Sequence, residues 1–263
     1  MAGSREGRAN LPRRRARIRH GRGQIPRAAV QLIVRRSAIA VRVICALVAL
    51  QVVLAARQAV HPVTGRPIAQ VMSHLGAGWL DRPEREGEEA PSKAIELIGL
   101  KPGSVVADVG AGSGYMSEKL SRAVGPSGRV YAVDIQPEML ALVDARAKKE
   151  GLTNIITVLG EPDDPKLPDG GVDLELMVDV YHELQHPQIV LRHLRRALRP
   201  AGRLVLLEYR KEDPAVPIRE EHKMTVADAK AELEAEGFRL TDVNEALPRQ
   251  HVLVFTRSAA PDR

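Results

Sequence analysis

The 263-residue sequence predicts an α/β fold, a doubly wound, mainly parallel seven-stranded sheet that ends in an antiparallel hairpin. Three observations carry this expectation. From Pro91 onward, short β-branched runs alternate with longer amphipathic stretches. Pro137 and Pro187 fall at first-turn positions, while Gly151 and Gly237 follow last turns, so helix starts and stops agree with local chemistry. The last two strand-like runs have no helical stretch between them, so they should pair as a hairpin and place one antiparallel strand at or near the sheet edge.

In chain order, Ser104–Val109 reads as a strand, Tyr115–Ala123 as a helix, Arg129–Asp134 as a strand and Pro137–Glu150 as a helix. Strands follow at Ile155–Leu159 and Val172–Val178, then a helix at Pro187–Leu198 and a strand at Arg203–Glu208. A helix at Val226–Glu236 and strands near Arg239–Asn244 and His251–Thr256 complete the set. The segment from His61 to Ala90 stands apart: it carries Trp79 and a dense run of charge from Asp81 to Glu89. It reads either as a solvated linker helix or as a lid over the carboxyl edge of the sheet.

Directly after the first strand stands Asp108-Val109-Gly110-Ala111-Gly112-Ser113-Gly114-Tyr115. Glycines there let the chain turn sharply into a helix and let a ligand lie against bare backbone, where helix N–H groups can donate to it. Asp134 ends the second strand twenty positions beyond Gly114, where a carboxylate can accept hydrogen bonds from both hydroxyls of a ribose. Strand, glycine turn, helix, strand and terminal acid together indicate an adenosine-containing ligand. The spacing G-x-G-x-G, with Asp108 two residues before the first glycine, differs from the G-x-G-x-x-G of dinucleotide sites. An acid at that position suits a cationic ammonium or sulfonium better than a pyrophosphate, which points away from NAD.

The runs VADVGAGSGY, YAVDIQPEML, VDVYHEL, LRPAGRLVLLEYRKEDP and AEGFRL stand in an order that resembles the class I S-adenosylmethionine-dependent methyltransferases. The resemblance runs from about Trp79 to Phe255 and is nearest to a bacterial group whose members often carry signal-like leaders. It implies a Rossmann-like fold and S-adenosyl-L-methionine as cofactor. By position it implies that Gly110, Gly112 and Gly114 line the cofactor, that Asp108 holds its amino-acid end directly or through water, and that Asp134 binds the ribose. It also implies an acid near the adenine amino group after the third strand, where Glu161, Asp163 and Asp164 are available and Asp163 is the first choice. Asp179, just past the fourth strand, falls where the family contacts the methionine moiety or the acceptor.

Methyl transfer from a sulfonium is an in-line displacement, so alignment and desolvation can supply most of the acceleration, and a base is needed only if the acceptor must lose a proton. His182 is the first candidate for that base, since its ordinary pKa near 6.5 suits proton uptake at neutral pH, with Glu183 and Asp179 beside it. After the fifth strand, Glu208, Arg210 and then His222 are candidates for orienting a polar acceptor. The spacing of His182, His186 and His222 matches no compact metal motif, so no metal is expected.

Net charge is +6, but residues 1 to 57 hold thirteen arginines, no lysine and one acid, Glu6, for +12, which leaves the remainder at −6. That body, with one Trp, four Tyr and two Phe in the whole chain, lacks the basic surface and stacking platforms of a nucleic-acid methylase. A small-molecule acceptor and no nucleic acid are the expectation. Fourteen residues from Val43 to Ala56, interrupted only by Gln51, fit the apolar region of a signal peptide and are short for a span of roughly 20 residues. Residues 1–57 therefore read as a basic leader carrying a signal peptide or membrane anchor, with export or membrane association as its consequence. A true start near Val41 would instead leave the protein cytoplasmic. Residues 58–90 form the charged extension, 91–257 the methyltransferase domain and 258–263 a tail. The single cysteine, Cys45, lies in the leader, so cysteine nucleophiles and disulfides are excluded from the body. Two rival classes remain, a nucleotide-dependent oxidoreductase and a non-catalytic S-adenosylmethionine-binding module.

Overall fold

The computed structural model describes residues 59–258; the leader, with the signal peptide or anchor expected there, and the last five residues lie outside the described residues. No helix among the described residues is long and apolar enough to cross a membrane. Three short helices come first, α1 (Ala77–Leu80), α2 (Arg85–Glu89) and α3 (Pro91–Ile98). The alternating part follows as β1 (Val105–Val109), α4 (Tyr115–Val124), β2 (Arg129–Asp134), α5 (Pro137–Lys149), β3 (Ile155–Leu159) and β4 (Val172–Val178). It continues with α6 (Pro187–Ala197), β5 (Leu198–Arg210), β6 (Lys223–Met224), α7 (Val226–Glu234), β7 (Phe238–Asn244) and β8 (Gln250–Arg257).

The sheet runs β3-β2-β1-β4-β5-β8-β7, with the two-residue β6 pairing beside the end of β5. Only β8 runs against its neighbours, wedged between β5 and β7, so the antiparallel strand lies one place in from the edge. From β1 the chain first proceeds outward through β2 and β3, then returns to the other side of β1 to lay down β4 and β5. That reversal opens a crevice beyond the carboxyl ends of β1 and β4, where sheets of this type bind ligands.

Two departures from the expected elements have local causes. β5 begins at Leu198 rather than Arg203, because Leu198 pairs with Val172 before the register shifts to Arg203 opposite Leu174. The intervening Pro200, which has no N–H to give, and Gly202 take up the extra residues as an irregularity. β6 is an eighth strand, and two residues are too few to leave a period in the sequence.

The core has two faces because strand side chains alternate. Leu174 and Leu176 of β4 pack with Val106, Leu120 and Val205 on one side. Met177 packs with Leu191, Leu194, Leu206 and Phe255 on the other. Val190, Leu191, Leu194 and Ala197 bury the inner stripe of α6, the spacing expected of one helix face. Truncating any of those leucines to alanine would cost about 2–5 kcal/mol.

The N-terminal segment is fastened to this body by a buried ion pair. Arg66 donates from Nε and Nη2 to the two carboxylate oxygens of Glu232 on α7, at 3.2 and 3.1 Å. Its Nη1 donates to the carbonyl of His182 at 3.3 Å, and the Ala69 N–H reaches the same carbonyl at 3.0 Å. The segment that precedes the domain thus holds the loop after β4 in place.

Candidate active site

A cleft of about 1080 Å³, counting its open mouth, lies over the sheet reversal. Gly110, Asp134, Gly160, Asp179 and Glu183 bring the ends of β1, β2, β3 and β4 to its floor and sides, and Met72, Trp79 and Leu80 close it from the N-terminal segment. Its walls carry the acids Asp134, Glu161, Asp179 and Glu183 against one guanidinium, Arg85. Arg85 is already engaged, at 2.8 Å with Glu89 and at 2.9 Å with the Leu80 carbonyl.

Asp134 is buried and accepts the N–H of Gly112 at 2.9 Å and that of Gln136 at 2.9 Å. Burial raises its carboxyl above the usual aspartate range, against the pull of those backbone donors. Of the three glycines, only Gly110 reaches the cleft wall. Gly112 lies under Leu80, and Gly114, left-handed at φ +80°, packs on Val143 of α5. Asp108 is not at the mouth of the site: it sits buried between β1 and α4, accepting a hydrogen bond from the Ser117 hydroxyl at 2.6 Å. Burial pushes its carboxyl up to about 6. Asp163 stays outside the wall, whereas Glu161 and Pro162 of the same loop form part of it.

Asp179 follows β4 in the left-handed region at φ +56°, a conformation that aspartate tolerates better than most residues. Its Oδ2 accepts from Gln250 Nε2 at 2.7 Å, while Oδ1 is buried without a hydrogen-bond partner among the described residues. Burial, then the nearby charges of Glu89 and Glu208, hold this carboxyl well above the usual range. An orphaned acceptor in a wall short of free cations fits a ligand that carries an ammonium or sulfonium, and it disfavours a pyrophosphate.

Beyond Asp179, the turn Tyr181–Glu183 and the turn Glu220–His222 bring together residues that are forty positions apart. His182 donates from Nδ1 to the fully buried Glu208 at 2.6 Å, and its Nε2 faces Nδ1 of His222 at 3.0 Å. Glu183 Oε1 lies 3.6 Å from His222 Nδ1 and 4.0 Å from His182 Nε2. Burial would lower the His182 pKa, but the charge and hydrogen bond of Glu208 outweigh it and raise the imidazole above its ordinary value. Burial and then the His182 charge lower His222. Burial pushes Glu183 up to about 7. His182, Glu183, Glu208 and His222 therefore form one polar cluster beside the cleft, with Glu183 in its wall.

Arg210 does not join them. Its guanidinium donates to the Leu247 carbonyl and lies 3.6 Å from Glu245, in the turn between β7 and β8. His186 is exposed at the start of α6, away from the other two imidazoles. Two residues that shape the site gave no sequence signal. Val180 fills the space over Gly110, and Gln136 bridges to the N-terminal segment by donating to the Met72 carbonyl at 2.9 Å and accepting the His74 N–H at 2.8 Å.

Comparison with known proteins agrees with this fold. A family model described as a methyltransferase domain matches residues 107–206. The ubiquinone/menaquinone biosynthesis C-methyltransferase of Ectopseudomonas mendocina is 33% identical over 118 residues, which cover 44% of this chain and 46% of that one. The corresponding protein of Pseudomonas fluorescens is 34% identical over 119 residues, 45% of this chain and 46% of the other. The chain thus spans about half the length of these curated relatives. The crystal structure of an S-adenosylmethionine-dependent methyltransferase from Aquifex aeolicus superimposes with a TM-score of 0.66 at 31% identity, covering 70% of this chain and 98% of that one. With sequence and fold both matching, the chain belongs to the class I S-adenosylmethionine-dependent methyltransferases, whose cofactor is S-adenosyl-L-methionine.

Proposed function

We propose that the protein transfers a methyl group from S-adenosylmethionine to a small-molecule acceptor held in the same cleft. One observation carries this reading: a single cleft joins Asp134, at the end that suits a ribose, to Asp179 and Glu183 beside the histidine cluster. When bound, the cofactor supplies a sulfonium methyl open to in-line displacement. The chain's own residues hold and align. Asp134 accepts from the ribose hydroxyls, Gly110 lets the cofactor approach bare backbone, and Asp179 stands at the cationic end. Asp108 steadies the amino-acid end from beneath the turn through water, and Glu161 stands nearer than Asp163 for the adenine amino group.

Val71, Met72, Trp79, Leu80, Leu184 and Val190 make much of the wall apolar, which suits an acceptor with an apolar body and excludes water from the reacting atoms. The curated relatives are named for C-methylation in quinone biosynthesis, and an acceptor of that apolar kind is consistent with this lining. His182 has both ring nitrogens engaged, so it acts on an acceptor through His222 and Glu183 rather than by direct contact. Residues 1–57 retain their reading as a targeting leader, which fractionation with a protease-accessibility assay tests.

Isothermal titration with S-adenosylmethionine, S-adenosylhomocysteine and NADH tests the central reading. Both sulfur nucleosides should bind, and S-adenosylhomocysteine should form when apolar hydroxylated or aromatic acceptors are supplied. Binding of NADH alone overturns the proposal in favour of an oxidoreductase. Tight S-adenosylmethionine binding without turnover across an acceptor panel overturns it in favour of a non-catalytic module.

A further inference from the structure

We propose that His182, His222 and Glu183 form a site for a divalent transition-metal ion on the wall of the cleft. The three donor atoms face one another across edges of 3.0, 3.6 and 4.0 Å. A tetrahedral ion with bonds of about 2.0–2.2 Å holds its ligand atoms roughly 3.4 Å apart, so small adjustments close the shell. Within the triangle only the 3.0 Å contact between the rings has the length of a hydrogen bond. The carboxylate is turned toward both imidazoles without reaching either.

The surroundings match a metal centre rather than a chance meeting of polar groups. His182 Nδ1 donates to Glu208, a fully buried carboxylate at 2.6 Å, which fixes the ring and leaves Nε2 to act as a ligand. Such a carboxylate behind a ligating histidine orients the ring and raises its basicity. Glu208 Oε1 is itself buried without a partner among the described residues. Both histidines sit on fixed elements. The His182 carbonyl is held by Arg66 and Ala69, and His222 directly precedes β6, which is paired to β5 just beyond Glu208. Two imidazoles and one carboxylate suit zinc or another first-row divalent ion and leave a coordination position open. That position opens toward the cleft, since Glu183 lines it and the His222 side chain is 27% exposed.

The test uses the full chain without a histidine tag, stripped of metal by chelator and titrated with Co²⁺, whose visible absorption reports coordination by protein. One equivalent should bind, and Zn²⁺ should displace it. His222→Ala and Glu183→Gln should each weaken Co²⁺ binding at least a hundredfold, and Glu208→Gln about 10–100-fold. His193→Ala, on the outer face of α6, should leave it unchanged. S-adenosylhomocysteine affinity of His222→Ala reports an intact fold; if that variant does not fold, His222→Asn carries the same expectation. Absence of saturable Co²⁺ binding, or binding that survives in a folded His222 variant, overturns the site. Metal binding without cofactor binding would sink the methyltransferase reading alone, and the reverse would sink the metal site alone.

Discussion

Asp134, at the end of β2, fastens the glycine turn that follows the neighbouring β1: its Oδ2 accepts the backbone N–H of Gly112 at 2.9 Å, while Oδ1 accepts that of Gln136 at the start of α5. The same carboxylate proposed to bind ribose therefore also shapes the loop on which the cofactor lies. Asp134→Ala should lower S-adenosylhomocysteine affinity at least tenfold by calorimetry. It should also cost about 1–3 kcal/mol in urea denaturation, because two backbone donors lose their acceptor. Asp134→Asn, which keeps one acceptor oxygen, should fall between wild type and alanine in both measurements. Unchanged affinity in the alanine variant would refute the ribose assignment.

Gly110 and Gly112 both need positive φ, at +79° and +54°, but their neighbours differ. A Cβ on Gly110 would meet Val180 Cγ2 at 2.5 Å and Cγ1 at 2.8 Å, and a β-branched side chain cannot swing away. A Cβ on Gly112 would meet only the tip of Leu80, at 2.7 Å, which can rotate. Each alanine carries a backbone cost of about 1–2 kcal/mol; Gly110→Ala adds a clash with Val180 that stays, whereas rotation of Leu80 removes the contact made by Gly112→Ala. Gly110→Ala should therefore be the more damaging in thermal melting, and Val180→Ala in the same chain should recover part of the loss. Equal melting temperatures for the two single variants would show that Val180 does not set the difference.

The alternation of strand and helix was readable because each buried strand and each helix face repeats its period over enough residues, as Val190, Leu191, Leu194 and Ala197 do on α6. Glycine turn and terminal acid were readable because their chemistry is tied to short, fixed spacing, from Asp108 to Asp134. What was not readable depends on distance along the chain. His182 and His222 look unrelated at forty residues' separation, and only the end of β5, with β6 beside it, makes them neighbours. Spacing alone therefore gave no sign that the fold brings donor atoms of His182, Glu183 and His222 within 4.0 Å of one another. Arg210 shows the converse: adjacency to Glu208 in sequence suggested a shared role, yet its guanidinium turns to Leu247 in the β7–β8 turn. Gln136 has an ordinary helix-start position, and nothing local marks its contacts to Met72 and His74.

Asp108 should leave a signature in the pH dependence of stability. Burial holds its carboxyl at about 6 in the folded protein, against the stabilising hydrogen bond from Ser117. The unfolded chain titrates near the ordinary aspartate value of about 3.9. Between those values the folded state binds more protons, so this residue's contribution is fully present below about pH 4 and is lost as pH rises through 6. The expected change is about 2–3 kcal/mol across that window. Urea denaturation of the ligand-free protein at intervals from pH 4 to pH 7 should show it. Asp108→Asn should flatten the curve over this range. A variant whose curve still parallels wild type would place the titration elsewhere.

Gln136, on the floor of the cleft, grips the segment above it through the Met72 carbonyl at 2.9 Å and the His74 N–H at 2.8 Å. Both partners are backbone groups of the stretch that leads into α1, where Trp79 and Leu80 close the cleft. If that stretch works as a lid, release of this grip should speed ligand escape more than it slows entry. Trp79 supplies the probe: it is the only tryptophan in the chain, it lines the cleft, and Arg82 lies 3.7 Å over its ring. Addition of S-adenosylhomocysteine should change its fluorescence, and stopped-flow displacement should then give the dissociation rate directly. Gln136→Ala should raise that rate several-fold while the association rate changes less than twofold, and limited proteolysis between residues 70 and 80 should quicken in the ligand-free protein. Equal dissociation rates with unchanged proteolysis would mean that the segment is a fixed wall, held mainly by the Arg66–Glu232 pair, and that the cofactor enters and leaves by the other side of the cleft.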